Sequence, residues 1–114
     1  MPADCLFCRM ASGEIPVPKV HEDDLVFAIR DINPQAPTHV LVMPVAHIAS
    51  AAALTDADAP LLGRLFSVAA RIAAADGLGG GWRLVSNVGP DAGQTVPHLH
   101  LHLLGGRSMH WPPG

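Results

Sequence analysis

Histidine and leucine alternate in residues 98–104, which read His-Leu-His-Leu-His-Leu-Leu. Side chains alternate across a β-strand, so a strand here would place three imidazoles on one face and three leucines on the other. Imidazole titrates near neutral pH and can act as a nucleophile, an acid–base group or a metal ligand. Three of them in a row are typical of a functional site. The segment therefore predicts a strand whose leucines enter the core and whose histidines line a site.

Two cysteines near the N-terminus, Cys5 and Cys8, have the spacing of a metal-binding pair. Their sulfurs can hold one edge of a zinc ion, which thiolates favour in a reducing compartment. Thioredoxin-like redox pairs share this spacing, but they follow a strand in a βαβ unit. Two half-buried cysteines without a ligand are the third interpretation. A zinc site needs two more ligands, and the chain has seven histidines to supply them.

The loop at residues 89–95 has the composition of an anion-binding turn. Its small residues let backbone amides approach a phosphate, and Gln94 and Thr95 add side-chain donors. A plain turn explains the same residues. The glycine cluster at residues 77–82 fails the dinucleotide-binding pattern because Trp82 occupies the last glycine position.

Length and composition predict a single domain over residues 1–114. Hydrophobic residues at 49% and charged residues at 15% exclude a disordered chain. The formal net charge is −3, and the seven lysines and arginines are scattered, which argues against a nucleic acid or an anionic membrane as partner. No signal peptide and no apolar run of membrane-spanning length is present, so we expect a cytoplasmic protein.

The hydrophobic pattern predicts elements in the order β-β-β-α-β-β, preceded by a short helix. The strands are expected at residues 17–21, 25–30, 38–43, 82–87 and in the histidine run, and the helices at residues 4–10 and 58–75. Short connections between strands predict an α+β fold, in which the long helix covers one face of a five-stranded antiparallel sheet. A dimer would cover the exposed edge of such a sheet.

The ends of the long helix are marked by particular residues. Pro60 belongs in the first turn, where its missing N–H costs no hydrogen bond, and this favours Asp58 over Thr55 as the N-cap. Gly77 is a natural end because glycine adopts the left-handed conformation that terminates helices.

The histidine run resembles the His-φ-His-φ-His-φ-φ signature of the histidine-triad (HIT) superfamily, in which φ is a hydrophobic residue. The similarity extends over nearly the whole chain and is greatest to the histidine-triad nucleotide-binding (Hint) branch. The matching segments are residues 31–39, 87–89, 93–95 and 105–114, of which the last is the most branch-specific.

The resemblance implies a role for each matching residue. His100 would be the nucleophile and would form a nucleotidyl-histidine intermediate that water hydrolyses. His102 would hydrogen-bond the α-phosphate, Asp31 would hold the ribose hydroxyls, and Phe7 and Ile32 would lie beside the base. The residues expected to contact the phosphate or support His100 are Asn87, Gly93, Gln94 and Thr95. Thr95 stands where the family often has serine, so its hydroxyl is placed among the catalytic groups.

Many bacterial relatives carry the N-terminal cysteine pair and bind zinc through it. In those relatives the remaining two ligands match His47 and His98, so the resemblance implies a Cys₂His₂ site with structural zinc. Zinc would also withdraw His98 from acid–base chemistry. The other three histidines, His21, His39 and His110, match no catalytic position, and we expect surface or packing roles for them.

The function implied is hydrolysis of purine nucleoside phosphoramidates with release of AMP or GMP, by a homodimer. A dinucleoside polyphosphate hydrolase is one alternative within the superfamily. A nucleotide-binding or partner-binding module with weak activity is an alternative from a different class.

Overall fold

The computed structural model describes residues 2–114 and arranges them around one five-stranded antiparallel sheet. In chain order the elements are α1 (Leu6–Ala11), β1 (His21–Glu22), β2 (Val26–Arg30), β3 (Thr38–Pro44), α2 (Ala59–Ala75), β4 (Trp82–Ser86) and β5 (Leu101–Gly105). The strands lie side by side in the order β1-β2-β3-β5-β4. The predicted α+β fold, with a long and a short helix, is confirmed.

The larger core lies between the sheet and α2. Sheet residues that point towards α2 belong to β2, β3 and the histidine run, and they are Val26, Ala28, Val40, Val42, Leu99, Leu101 and Leu103. The helix contributes its regularly spaced apolar residues, which are Leu65, Val68, Ala69 and Ile72. The leucines of the histidine run therefore enter the core as predicted.

The opposite face of the sheet carries a second core, which α1 covers. Its buried members are Cys5, Phe7, Cys8, Phe27, Ile29, Leu41 and Met43. His98 and His100 are also buried, with exposed fractions of 0% and 8%. His98 and His100 therefore lie in a covered layer between the sheet and α1.

Two predicted strands differ from the structure by more than one residue. Prolines at positions 16 and 18 have no N–H for a ladder, and β1 accordingly contains only His21 and Glu22 instead of residues 17–21. The histidine run enters the ladder only at Leu101. Just before it, the N–H of Leu99 donates to the carbonyl of Ile48 in the loop after β3, at 2.6 Å. Residues 98–100 thus keep the alternation of a strand without pairing as one.

The long helix matches the predicted bounds, and its start uses both candidate caps. Asp58 is the N-cap of α2, but a 3₁₀ turn over Asp56–Asp58 precedes it. Thr55 and Asp58 form a capping box around this turn, in which the Thr55 N–H donates to Asp58 Oδ2 at 2.9 Å. At the other end Gly77 has a φ of +74°, which confirms that this glycine terminates the helix.

No helix among the described residues has the length and hydrophobicity that crossing a bilayer requires.

Asp23 links the turn between β1 and β2 to the long helix. Its carboxylate accepts the N–H groups of Leu25 at 2.8 Å and Val26 at 2.9 Å, and the Arg64 guanidinium of α2 at 2.8 Å. The His21 ring lies 2.5 Å away. Burial acts to raise the pKa of Asp23, but these hydrogen bonds outweigh it and hold the pKa well below its usual range.

We expect Asp23→Ala to lower the free energy of unfolding at neutral pH by about 1–3 kcal/mol, because two backbone N–H groups and a guanidinium lose their acceptor. The wild-type contribution is present above the unfolded pKa of about 3.9 and is lost as the pH falls through the lower folded pKa. Urea unfolding across the acid range measures both effects. The exposed neighbour gives the control Asp24→Ala, and an equal loss for both variants would contradict the role of Asp23.

Candidate metal centre and catalytic histidines

Two cysteines and two histidines from three separate parts of the chain converge beside α1. Cys5 is the N-cap of α1, Cys8 lies in its first turn, His47 follows β3 and His98 precedes β5. The Nδ1 atom of His98 lies 3.4 Å from the Cys5 sulfur and 3.6 Å from the Cys8 sulfur. The Nδ1 atom of His47 lies 3.4 Å from the Cys8 sulfur. All four ligand atoms are within 4.8 Å of one another.

These separations fit a tetrahedral zinc ion. Zinc bonds of about 2.3 Å to sulfur and 2.0–2.1 Å to nitrogen, at the tetrahedral angle, separate a sulfur from a nitrogen by about 3.6 Å. The observed sulfur–nitrogen distances of 3.4 to 3.6 Å agree with that edge. Four protein ligands leave no open position for water or substrate, so the donor set suits a structural site.

The surroundings of His98 select the ring nitrogen that faces the cluster. Its Nε2–H donates to the carbonyl of Pro44 at 2.8 Å, which leaves a lone pair on Nδ1 beside the two sulfurs. Burial lowers the pKa of His98, so the neutral, ligating form is favoured. Burial also raises the pKa of the Cys8 thiol to about 11. A metal ion would therefore supply the charge that allows this buried sulfur to become a thiolate.

The next histidine of the run, His100, is oriented by the backbone of His98. Its Nδ1–H donates to the His98 carbonyl at 2.7 Å, so the unprotonated nitrogen of the neutral ring is Nε2. The ring of Phe7 packs edge-on against it, with centroids 5.1 Å apart. This arrangement fixes both the tautomer and the plane of the imidazole, which an attacking nitrogen requires.

The third histidine, His102, belongs to a chain of hydrogen bonds that begins at the backbone of Gln35. The Gln35 N–H donates to Nδ1 of His39 at 3.0 Å, so the proton of neutral His39 is on Nε2. That Nε2–H lies 2.9 Å from Nδ1 of His102 and donates to it. His102 consequently carries its own proton on Nε2. Burial lowers the pKa of His102, with the charges of His100 and His39 acting in the same direction, which favours this neutral donor form.

A second group of metal-type ligands, Asp31, His39 and His102, is explained by the same hydrogen bonds. A metal on Nε2 of His39 would need the lone pair of that atom, yet Nδ1 already accepts the Gln35 N–H. One neutral imidazole cannot offer lone pairs on both nitrogens. The group therefore does not fit a second metal. Its members form a chain of hydrogen bonds with defined proton positions, which we call the relay, and Asp31 Oδ2 lies 3.4 Å from His39 Nε2 in it.

A cavity of about 350 Å³ opens beside His100 and His102. Most of its lining residues are apolar and come from α1, β2 and β3, and the polar ones include Asp31, Thr95 and the two histidines. Of the residues predicted to bind nucleotide, those that line it are Phe7, Asp31, Ile32, Thr95, His100 and His102. Ile32 is 99% exposed and stands at the mouth.

The other predicted nucleotide contacts build the neighbouring loop and do not line this cavity. Asn87 Nδ2–H donates to the carbonyl of Ala92 at 2.7 Å. Gln94 Oε1 accepts the Gly89 N–H, and its Nε2 donates to the carbonyls of Ala49 and Val96. Gly93 takes a φ of +82° in the turn between them. These residues brace the loop that carries Thr95, and their contact with phosphate stays a prediction.

His39 is buried, which fits the packing role expected for it, but it also has a partner that the sequence did not indicate. It is 6% exposed and hydrogen-bonds His102. In β3 it shares a face with Leu41, which lies opposite His102 in β5, and diagonal neighbours of this kind are within reach of long side chains. Strand alternation alone could have placed His39 on that face, but the pairing register was needed to bring it to His102. His21 packs against Asp23, and His110 is exposed, as expected.

Comparisons with known proteins agree with this architecture. The HIT domain family matches residues 12–109. A HIT-like protein of Synechococcus elongatus is 51% identical over all of both chains. The 14 kDa zinc-binding protein of Zea mays is 46% identical over 96% of this chain and 87% of its own. A solved HIT family hydrolase from Legionella pneumophila has a TM-score of 0.95 and 53% identity, covering 97% of this chain and all of its own. With its three histidines on one face of this sheet, the chain belongs to the HIT domain family.

Proposed function

We propose that the chain hydrolyses purine nucleoside phosphoramidates and releases AMP or GMP, with His100 as the nucleophile. The observation that carries the proposal is the hydrogen bond from His100 Nδ1 to the His98 carbonyl, which leaves Nε2 as the unprotonated nitrogen of a ring that lines the cavity. The HIT family hydrolases of Legionella pneumophila and Clostridium thermocellum, 53% and 42% identical to this chain, support a hydrolase in general terms.

The reaction follows from the two free ring nitrogens. Nε2 of His100 attacks the α-phosphorus, the phosphorus–nitrogen bond breaks, and the leaving nitrogen takes up a proton from solvent water and departs as an amine. Nε2–H of His102 hydrogen-bonds a phosphoryl oxygen while charge develops on it. Water then attacks the nucleotidyl-histidine, which releases the nucleoside monophosphate and restores His100.

The remaining contacts are assigned from the lining of the cavity. Phe7 and Ile32 lie on its apolar wall, where a base would be covered. Asp31 offers a carboxylate beside that wall for the ribose hydroxyls, and Thr95 offers a hydroxyl near His100. In the loop behind Thr95, the proposed supporting residues are Asn87, Gly93 and Gln94.

A zinc ion held by Cys5, Cys8, His47 and His98 is part of the proposal. The geometry of the four ligands and the zinc-binding relative from Zea mays both support it. When bound, the ion cross-links α1 to the loop after β3 and to the histidine run, and takes no part in the chemical step.

A homodimer is the proposed assembly. Strand β4 lies at an edge of the sheet, where its outer N–H and C=O groups are available for pairing. An apolar groove of about 180 Å³ runs beside it, and Phe66 in its lining is 56% exposed. A second copy pairing along β4 would cover both features. The cytoplasmic location stays a prediction from the sequence.

His100→Ala should retain AMP binding and lose turnover of adenosine 5′-phosphoramidate by at least about 10³-fold, because no other group can form the covalent intermediate. Mass spectrometry of the wild-type protein caught during turnover should find a nucleotide adduct on His100. The exposed tail histidine provides the control His110→Ala, which should keep wild-type turnover.

The same assay separates the proposal from its alternatives. Faster hydrolysis of a diadenosine polyphosphate than of the phosphoramidate would assign the chain to polyphosphate hydrolysis. Tight AMP binding by the wild-type protein with no turnover of either substrate would indicate a binding module, and both outcomes would overturn the proposed reaction.

Removing the relay behind His102 should slow the reaction without weakening substrate binding. His39→Leu leaves Nδ1 of His102 without its donor, so we expect kcat to fall by about 10²-fold with little change in KM. His39→Gln restores an N–H donor and should recover part of the loss. Nitrogen-15 NMR of the imidazoles should show the Nε2–H form of His102 in the wild type and a mixture in His39→Leu. An unchanged kcat in His39→Leu would contradict the relay.

Protein purified without added metal should contain about one zinc ion per chain by elemental analysis, because one cluster fits the ion and the other does not. Cys5→Ala combined with Cys8→Ala should abolish it, since two ligands of four are lost. Near-stoichiometric zinc that survives in this double variant would show that the ion lies elsewhere.

A further inference from the structure

The short helix α1 belongs to two sites at once. Leu6, Phe7 and Met10 line the cavity beside His100. Cys5 and Cys8, on the same helix or at its cap, belong to the metal cluster. Six residues of helix therefore connect the proposed metal to the apolar wall of the nucleotide cavity.

Apart from its packing on the second core, this helix has few contacts that hold it in place. Isolated helices shorter than about 12 residues are marginal in water, and α1 has six. Its ion pair, Arg9 with Glu14 at 3.3 Å, is local, and the two side chains are 41% and 60% exposed. Among the described residues, the polar contacts from α1 to distant parts of the chain run through its two sulfurs, to His98 and His47.

The apolar contacts of α1 are divided in the same way. Phe7 is 4% exposed and packs edge-on against His98 at 5.8 Å and His100 at 5.1 Å between centroids. Its neighbour on the cavity side, Leu6, is 40% exposed. The helix thus buries Phe7 against the two histidines and packs Met10 and Ala11 on the second core, while Leu6 stays partly exposed on the cavity side.

We propose that the metal at Cys5, Cys8, His47 and His98 positions the nucleotide by clamping α1, so that the base-binding wall forms only in the metal-loaded protein. The proposal rests on the proposed function for the identity of the ligand. In it, Phe7 is a positioning residue that contacts the proposed nucleophile, and the metal ligands act through it. Release of the metal frees α1 from the sheet, opens the cavity on one side and leaves α2 and the sheet in place.

Hydrogen exchange of the zinc-loaded and chelator-treated wild-type protein tests this directly. We expect amides of residues 6–11 to lose protection in the metal-free protein while those of α2 and β3 keep it. Trypsin should then cleave faster after Arg9, which lies in α1. Loss of protection in α2 together with α1 would make the metal a stabiliser of the whole fold and would overturn the proposal.

Calorimetric titration with AMP supplies the second measurement. The dissociation constant should rise at least about tenfold in the metal-free protein, because a single methylene group in an apolar pocket is already worth about that factor. Added zinc should restore the affinity, and added magnesium should not, because the ligands are thiolate and imidazole. Equal AMP affinity with and without zinc would overturn the proposal. If the zinc-loaded protein binds AMP but hydrolyses no phosphoramidate, the proposed function is wrong. The hydrogen-exchange and AMP-affinity measurements still test whether the metal holds α1 in place.

Substitutions of Phe7 test the contribution of the cavity wall to AMP binding separately from that of the metal. Phe7→Ala should retain one zinc and lose AMP affinity to a similar extent, and Phe7→Leu should recover most of it by restoring an apolar side chain. Exposed Asp4, next to Cys5, gives the matched control Asp4→Ala, which should keep zinc, protection of α1 and AMP affinity. Wild-type AMP affinity in zinc-loaded Phe7→Ala would show that this wall does not bind the base, and the proposal would be wrong.

Discussion

The hydrogen bond from His100 Nδ1 to the carbonyl of His98 is the contact on which the candidate site depends. It exists because residues 98–100 run beside the sheet without joining its ladder. In a paired strand the His98 carbonyl would accept an N–H from a neighbouring strand, and the imidazole would have to share that oxygen. Instead, the Leu99 N–H is taken by the loop after β3, and the His98 carbonyl turns to the next imidazole.

Because these imidazoles are buried, the hydrogen bonds of their ring nitrogens are tightly constrained. A buried ring nitrogen without a partner is costly, so each inward-facing imidazole must find one. His98 uses one nitrogen on Pro44 and directs the other at the sulfurs, and His39 uses both of its nitrogens in the relay. In the histidine run, the ring nitrogens that these bonds leave without a protein partner are Nε2 of His100 and Nε2 of His102. One has a lone pair and the other a proton, which are the two groups that attack on phosphorus requires.

The two faces of the sheet divide structural and chemical tasks. The leucines of the histidine run pack under α2 in an ordinary apolar core. The histidines face a thinner layer built from α1, which is too short to make a comparable core. A metal cross-link replaces hydrophobic burial there, as it does in small domains that lack a sufficient core. The same residue, His98, then serves the cross-link with its ring and the proposed nucleophile with its backbone.

The sequence by itself determined the elements and the chemical inventory of this protein. Alternation of histidine and leucine separated the two faces of β5, and the periodic apolar residues with Pro60 and Gly77 defined α2, because these signals are local. The spacing of Cys5 and Cys8 predicted a metal pair but not its other two ligands. The family resemblance identified those ligands as His47 and His98. Tertiary structure decided the rest. The strand register brought His39 to His102, the departure of residues 98–100 from the ladder freed the His98 carbonyl, and packing placed α1 over the histidines. These features depend on contacts between residues up to 93 positions apart, and no local pattern specifies which partner such a residue will meet.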